Sequence, residues 1–579
     1  MEHNKLLNDW FHLKTGQKGK PPLEVILSVL LGLGLLISVD CWAQSPGYSR
    51  FITPKQPLPE VPEYSPTTSN QPFQLPDLIR PTKADNKNAL AFNLKGIQFI
   101  GNKRFSDQQL HQLIKHAIGQ PISYSGLESI RSQLTQYYIN AGYINSGVLL
   151  TDQHITDGIV TFKVIEGSLA KINITGAERL HNSYIRKRIE FNPDEILDKD
   201  SLHDKFQLLL TDPLIERLNG QLRPGDKAGE SILDLEVTRA RPYRLYLATD
   251  NYTTPAIGSY TGRLGGSVSN LTGLGDRLAL ELSYSEGSQS IDSRLSIPFN
   301  YQGSRAFIAF QANHAEVIED SFKALDIESN FYNIELGVSH PVYRRLNRLF
   351  TIQALFSYRK TDTSVLGWKI PLSEGVEKDG EAKVSVIRLN QAFVNRTANQ
   401  VISLSSLFNI GFDSFNATVN KDQADSRFFS WIGQALVTQQ LLDNGTQIVL
   451  RANIQLSNDS LLSLEDLALG GVDTVRGYRE NTLVRDEGYS VSAEIRYPLY
   501  KNSDHSKLEI TPFSDYASGW NHNNEKQQSL FSAGVGLRWH WYQFDASVFW
   551  AHTFKPSLSS PDYDLQDDGV HFQLSRTIF

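Results

Sequence analysis

Residues Gln447–Ser457 read "QIVLRANIQLS". Ile448, Leu450, Ala452, Ile454 and Leu456 fall on one parity, and Arg451, Asn453 and Gln455 on the other. Side chains alternate between the two faces of an extended strand, so this stretch is predicted to be a strand apolar on one side only. Its polar face carries a charge and two amides in mid-strand, which a watery interior tolerates.

The same texture recurs on both sides. In "DRLALELSYSEG", Leu278, Leu280, Leu282 and Tyr284 oppose Glu281, Ser283 and Ser285. In "SVSAEIRYPL", Val491, Ala493, Ile495, Tyr497 and Leu499 oppose Ser492, Glu494 and Arg496. From Arg241 to Phe579 no helical periodicity stands out, and turns rich in Gly, Asn, Asp and Ser separate about sixteen strand-like runs, an even number as outer-membrane barrels favour. A soluble sandwich would alternate too. Charged polar faces, aromatics at strand ends (Trp431, Tyr497, Trp539, Trp541, Trp550, Phe579) and an export leader favour a membrane barrel over residues 241–579.

That leader is residues 1–43. Lys5, Lys14, Lys18 and Lys20 precede the apolar run Val25–Val39, and "CWAQ" supplies small residues at Cys41 and Ala43. The run is short for a bilayer-spanning helix, so a secretory signal peptide cleaved after Ala43 is expected, in preference to a membrane anchor. Asp40 before Cys41 argues against a lipoprotein signal. Cleavage would remove the single cysteine of the 579 residues, excluding disulfides, thiolate metal sites and a Cys nucleophile from the mature chain. The net charge of −7 is mild, and no basic cluster of nucleic-acid type occurs.

Residues 44–90 hold Pro46, Pro54, Pro57, Pro59, Pro62, Pro66, Pro72, Pro76 and Pro81. They read as an extended linker, acting as a spacer or as a plug. Residues 91–167 then follow the order β-α-α-β-β. "LKGIQFIG" alternates as a strand, Ser106 is placed to cap "DQQLHQLIKHAIG", and Leu127, Ile130, Leu134 and Tyr137 recur at helical spacing. "SGVLL" and "DGIVTFKVIEG" are strands. Residues 168–240 repeat that order, from "LAKINITG" to "ESILDLEVTRA", with Gly176 matching Gly101 at the end of the first strand. This is a tandem repeat of one small module.

Two such modules ahead of a C-terminal barrel of about sixteen antiparallel strands resemble the two-partner secretion transporters (TpsB type) of Gram-negative outer membranes, and the modules look like POTRA domains. That family carries filamentous haemagglutinin, secreted haemolysins and contact-dependent inhibition toxins. Its most specific residues lie in "GGVDTVRGYREN", Gly470–Asn481. "VRGY", Val475, Arg476, Gly477 and Tyr478, resembles the tip of the family's sixth extracellular loop, which folds back into the barrel. It falls between the eleventh and twelfth predicted strands. "FSD", Phe513 to Asp515, resembles the family's Phe-x-Asp lumen motif. In "KLEITPFSDYA", Glu509, Thr511, Phe513 and Asp515 share a parity opposite Leu508, Ile510 and Tyr516, so Asp515 is expected to face the lumen. The resemblance pairs Arg476 with Asp515, gives Gly477 a tight turn and packs Tyr478 beside Phe513. "NLTGLGD", Asn270–Asp276, is similar to a family turn early in the barrel. A terminal Phe579 fits a barrel-assembly signal but is out of phase with Val570, Phe572 and Leu574, so a bulge or a different last strand is expected.

The resemblance implies an outer-membrane translocase. Its POTRA domains, in the periplasm, would capture an unfolded partner exoprotein, with added strands supplying main-chain hydrogen bonds. The barrel would then pass the chain outward. It also implies contact with outer-membrane lipids, insertion by the barrel-assembly machinery and a monomeric state. An outer-membrane assembly insertase and a passive porin or receptor are the alternatives. No cofactor, metal or nucleic acid is called for, and no enzyme activity is expected. HExxH, GxSxG and Walker sequences are absent, and His111 and His116 read as solvated.

Overall fold

The computed structural model describes residues 73–74, 91–192, 195–502, 506–522, 524–555 and 562–579. The expected signal peptide, residues 1–43, and the expected linker, residues 44–90 apart from Phe73 and Gln74, lie outside them.

Within the described residues, β1 is Phe73–Gln74, β2 is Phe92–Asn93 and β3 is Gly96–Ile100. Helix α1 is Asp107–Ile114, β4 is Pro121–Ile122 and α2 is Tyr124–Asn140. Strands β5, Gly147–Leu150, and β6, Ile159–Ile165, complete the first module. Ser106 caps α1 through the Gln109 amide, while the Gln109 side chain accepts from the Ser106 amide, a reciprocal capping box. Leu127, Ile130, Leu134 and Tyr138 form the buried stripe of α2, with Tyr138 rather than Tyr137 at its end. They pack with Leu94, Ile97, Val160 and Phe162 into one core. His111 is not merely solvated. Its Nδ1 lies 2.7 Å from the Asp107 carbonyl oxygen and its Nε2 2.8 Å from that of Ile97, tying α1 to β3.

The second module comprises β7 (Ser168–Thr175), α3 (Asn182–Ile189), α4 (Lys199–Leu210), β8 (Ile215–Pro224) and β9 (Glu230–Arg239). Its own core joins Ile185, Leu202, Phe206, Leu218 and Leu233. The sheets have one topology. In the first, β3 lies parallel to the central β6 and β5 antiparallel to it. In the second, β7 is parallel to β9 and β8 antiparallel. Gly101 and Gly176 occupy equivalent places with φ of 96° and 76°. A Cβ there would come within 2.5 Å of the Val164 carbonyl oxygen and 2.3 Å of that of Val237, so both modules demand glycine for the same reason.

The rest of the chain is a closed antiparallel barrel of sixteen strands, from Tyr243–Asp250 round to Val570–Thr577, with Trp368–Lys369 as a short annex to the seventh. Leu278, Leu280, Leu282, Leu450, Val491 and Ile495 point outward, while Arg451, Asn453, Gln455, Glu494 and Asp515 line the interior. Trp539, Trp541, Trp550, Tyr497 and Phe579 are exposed on the outer surface, whereas Trp431 is half-buried and bonds Ser406. Among the described residues no helix is long and apolar enough to cross a membrane; strands do so here.

The closing seam explains the phase of Phe579. The Ile578 amide donates to the Leu245 carbonyl at 2.8 Å and the Leu245 amide donates to the Phe579 carbonyl at 3.0 Å. Two residues thus oppose one, the arrangement of a β-bulge, and Phe579 turns outward onto Tyr243.

The "NLTGLGD" turn lies at the end of the barrel that meets the second module. The His181 amide donates to the Gly273 carbonyl at 3.0 Å. A Cβ on Gly275 would sit 2.6 Å from the Tyr184 ring. Asp276 holds the turn shut through the amides of Leu271 and Thr272 and the Thr272 hydroxyl.

Candidate functional site: the loop anchored in the lumen

Residues 458–486 join the eleventh barrel strand, Gln447–Ser457, to the twelfth, Glu487–Asn502. Leu467–Leu469 and Leu483–Arg485 pair as a small hairpin of their own, with an isolated bridge from Gly471 to Val475 beyond it. Leu467, Leu469, Val475 and Tyr478 pack against Ala517 and Leu530 of the barrel wall. The loop is therefore folded into the lumen on an apolar contact as well as a polar one.

The polar contact centres on Arg476, whose side chain is 4% exposed. Its Nε donates to Asp515 Oδ2 at 2.8 Å and its Nη2 to Oδ1 at 2.9 Å, a bidentate fork. The Arg476 backbone amide adds a third bond to Asp515 at 3.0 Å. Nη1 donates to Glu494 Oε2 at 2.6 Å and Nη2 to Ser492 Oγ at 3.1 Å. The guanidinium carbon lies 3.5 Å from the Phe513 ring centroid, a cation–π contact on the remaining face. Burial alone would lower the Arg476 pKa, but the Asp515 and Glu494 carboxylates outweigh it and hold it above its ordinary value.

Gly477 has φ of 93°, and a Cβ there would approach the Ala551 Cβ to 2.8 Å. The left-handed turn places residues 476 and 478 at different heights on one wall, beside Asp515 and Ala517 of the thirteenth strand. Tyr478 consequently does not pack beside Phe513. Its ring lies with Ala517 and Leu530, and its hydroxyl sits 3.2 Å from the Phe531 carbonyl oxygen and 3.0 Å from that of Lys555. Phe513 instead packs on Phe549 and Ala551 and serves as the floor under the guanidinium.

Several partners were not singled out in the sequence. Glu494 stands among four arginines: Arg476 at 2.6 Å, Arg496 at 2.7 Å, Arg538 at 3.5 Å and Arg451 at 3.8 Å. Its inward parity was readable in "SVSAEIRYPL"; nothing marked it from other polar lumen residues. Beyond the tip, Arg479 forks onto Asp567 at 2.5 and 2.6 Å. At the loop root, Glu465 takes Arg388 Nη2 at 2.7 Å and Arg359 Nη1 at 3.2 Å, from the eighth and seventh strands. Its neighbour Asp466 has the opposite environment. Burial, then the Asp486 carboxylate, push Asp466 well above the ordinary carboxylate range. Among the described residues no His, Cys, Asp and Glu group is arranged to hold a metal.

A loop gripped this way narrows the lumen and fixes the wall strands that grip it.

The comparisons with known proteins agree on one relationship. The family model "Haemolysin secretion/activation protein ShlB/FhaC/HecB" matches residues 229–539, and "POTRA domain, ShlB-type" matches residues 92–167. The heme/hemopexin transporter protein HuxB of Haemophilus influenzae is 25% identical over 483 residues, covering 79% of this chain and 82% of HuxB. The solved structure of CdiB from Escherichia coli superposes with a TM-score of 0.64 at 19% identity, covering 86% of this chain and 93% of that one. CdiB from Acinetobacter baumannii gives 0.58 at 18% identity, covering 96% and 98%.

Proposed function

Because the chain belongs to the haemolysin secretion/activation protein ShlB/FhaC/HecB family, we infer that it is an outer-membrane translocase that exports a partner exoprotein by two-partner secretion. The observation that carries this reading is the conjunction of a closed sixteen-strand barrel, two POTRA-type modules at one end, and the Arg476 loop folded inside. A barrel of this size has room for an aqueous channel. The loop partly fills it, and the sequence 44–90 is a further candidate plug.

The modules lie in the periplasm, where they receive the unfolded exoprotein before it enters the barrel. The exoprotein then passes outward and folds at the cell surface, and that folding drives transport. The outward Leu, Val and Ile rows contact outer-membrane lipid. We propose that the barrel-assembly machinery inserts the chain and that it works as a monomer. Residues 1–43 act as its export signal, and Arg476, Asp515 and Phe513 hold the loop in its working position. Transport is the family's business, and the lumen site serves positioning rather than covalent chemistry.

The test is whether a large exported protein with β-helix repeats is encoded beside this chain and depends on it for release. Cells carrying both genes should release it to the medium, and cells lacking this chain should retain it in the periplasm. Equal release from both strains would refute the proposal.

A further inference from the structure

The outer wall of the barrel carries a cation cluster where the seventh and eighth strands leave the membrane. Odd-numbered strands run away from the modules, as the first does from Tyr243. The seventh, Arg348–Val365, therefore ends on the cell-surface side, and the eighth, Glu381–Arg396, begins there. Across the pair, Phe356 opposes Ile387, Tyr358 opposes Ser385, Lys360 opposes Lys383 and Asp362 opposes Glu381. These residues share the parity of the exposed Ile352 and Leu389 and face outward. The alternate residues Arg359 and Arg388 reach Glu465 in the lumen.

Two lysines directly opposite one another repel, and here a third joins them. Glu381 takes Lys360 Nζ at 2.8 Å, Lys383 Nζ at 2.6 Å and Lys369 Nζ, from the annex strand, at 3.3 Å. Three ammoniums hold about nine N–H donors, against about four acceptor sites on one carboxylate. Asp362 and Glu377 stand close by. Each takes a neutral donor, Asn330 Nδ2 at 3.1 Å and Thr418 Oγ1 at 2.9 Å. The cluster thus has N–H groups to spare for an anion.

Directly beneath it, toward the middle of the membrane, lies an aromatic shelf. The Phe356 ring centroid lies 6.2 Å from that of Phe412 and 5.4 Å from that of Phe415, and Tyr358 lies 6.5 Å from Phe415. Phe415 is 65% exposed, and its φ of 56° is one that a bulky residue rarely adopts. The Ser385 hydroxyl donates to the Ser414 carbonyl at 2.9 Å and ties this bend to the eighth strand. Strain that displays an apolar ring on the outer wall points to function, and an acyl chain is what would cover that ring. Tyr358 to Lys360 is two residues of strand, roughly 7 Å, the step from an aromatic girdle to the headgroup layer.

We propose that Lys360, Lys369 and Lys383 bind the phosphate of an outer-leaflet glycolipid whose acyl chain lies over Phe356 and Phe415. The phosphate oxygens accept from the ammoniums that Glu381 gathers, and the apolar part covers the exposed ring. The site needs only the barrel in its membrane and is independent of the export reading.

The test uses the full-length chain in neutral detergent micelles, with diphosphorylated lipid A bearing a fluorescent acyl label as probe and anisotropy as readout. The wild type should bind the probe at least ten-fold more tightly than its dephosphorylated analogue, and an equal concentration of inorganic phosphate should not displace it. Lys360→Gln, Lys369→Gln and Lys383→Gln together should abolish that preference. Lys103→Gln, Lys187→Gln and Lys227→Gln, the same change of charge at exposed positions on the modules, should keep it. The heat-dependent gel shift reports whether each variant is a folded barrel. Lys369→Gln alone, at a side chain 53% exposed, should weaken binding at least three-fold and serves if the triple variant does not fold. Equal binding of lipid A and its dephosphorylated analogue by the wild type, or an undiminished preference in the folded lysine variant, overturns the proposal. Displacement by inorganic phosphate would show a site for the free ion and overturns it as well.

Discussion

Two of the chain's contacts with itself, at the loop tip and at the second module's edge, differ in kind. At the loop tip, Arg476 meets Asp515 and Glu494 through charge-assisted bonds in a buried setting, with Phe513 beneath. At the second module's edge, two residues of backbone pair with β8. Removing one partner of a buried ion pair costs about 3–5 kcal/mol, because the other charge is left uncompensated. A backbone hydrogen bond contributes roughly 0.5–1.5 kcal/mol net, against an ordering cost of about 1–2 kcal/mol per residue. The first contact is thus a fixture and the second an exchangeable cover.

The largest effect is expected at the fixture. Arg476→Ala strands Asp515 in the lumen wall, while Glu494 keeps Arg496, Arg538 and Arg451. It should destabilise the loop by about 3–5 kcal/mol and cut exoprotein release more than it cuts the amount of heat-modifiable barrel. Immunoblots of boiled and unboiled membranes, beside blots of the medium, read both quantities.

Tyr478→Phe probes the same loop where it meets Ala517 and Leu530, next to Asp515 on the same wall. The variant keeps the ring contacts with Ala517 and Leu530 but loses the hydroxyl that bridges Phe531 and Lys555. A cost of roughly 1–3 kcal/mol is expected, seen as a lower midpoint for the gel-shift transition. Loss as large as that of Arg476→Ala would move the fixture from the ion pair to the tyrosine.

Asp466→Asn should act through pH. The folded protein holds the Asp466 pKa above its ordinary 3.8, so the wild type loses stability as pH rises from there through the raised value. The Asn variant carries no such penalty and should gain on the wild type as pH increases. A difference in melting midpoint that does not change with pH contradicts this reading.

The smallest effect on stability belongs to the cover. Phe73→Pro with Gln74→Pro removes two amide donors from β1. The barrel's gel-shift midpoint should not move measurably, while limited proteolysis should cleave the 44–90 segment faster. A shift comparable to that of Tyr478→Phe would show that the strand is structural.

Much of the barrel was legible because a strand between lipid and water must alternate, and "QIVLRANIQLS" does. The inward parity of Asp515 followed from the same period. The tandem modules were legible through Gly101 and Gly176, which meet the same carbonyl in each copy. What failed depends on how distant segments thread. The positive φ of Gly477 separates Arg476 from Tyr478, so adjacency in "VRGY" gave Tyr478 the wrong neighbour. Glu494 was one inward carboxylate among many until two other strands and the loop brought arginines to it. Strand β1 carries no signal in its own composition, since two residues amid prolines become a strand only where β8 offers an edge.

The double-mutant cycle of Arg476→Ala and Asp515→Ala tests the central contact most directly, read as exoprotein released per folded transporter. Asp515→Ala should be the milder single change, because Arg476 retains Glu494 at 2.6 Å. The double variant should be no worse than Arg476→Ala alone, the non-additivity that direct contact produces. Single defects that simply add would contradict the anchored loop.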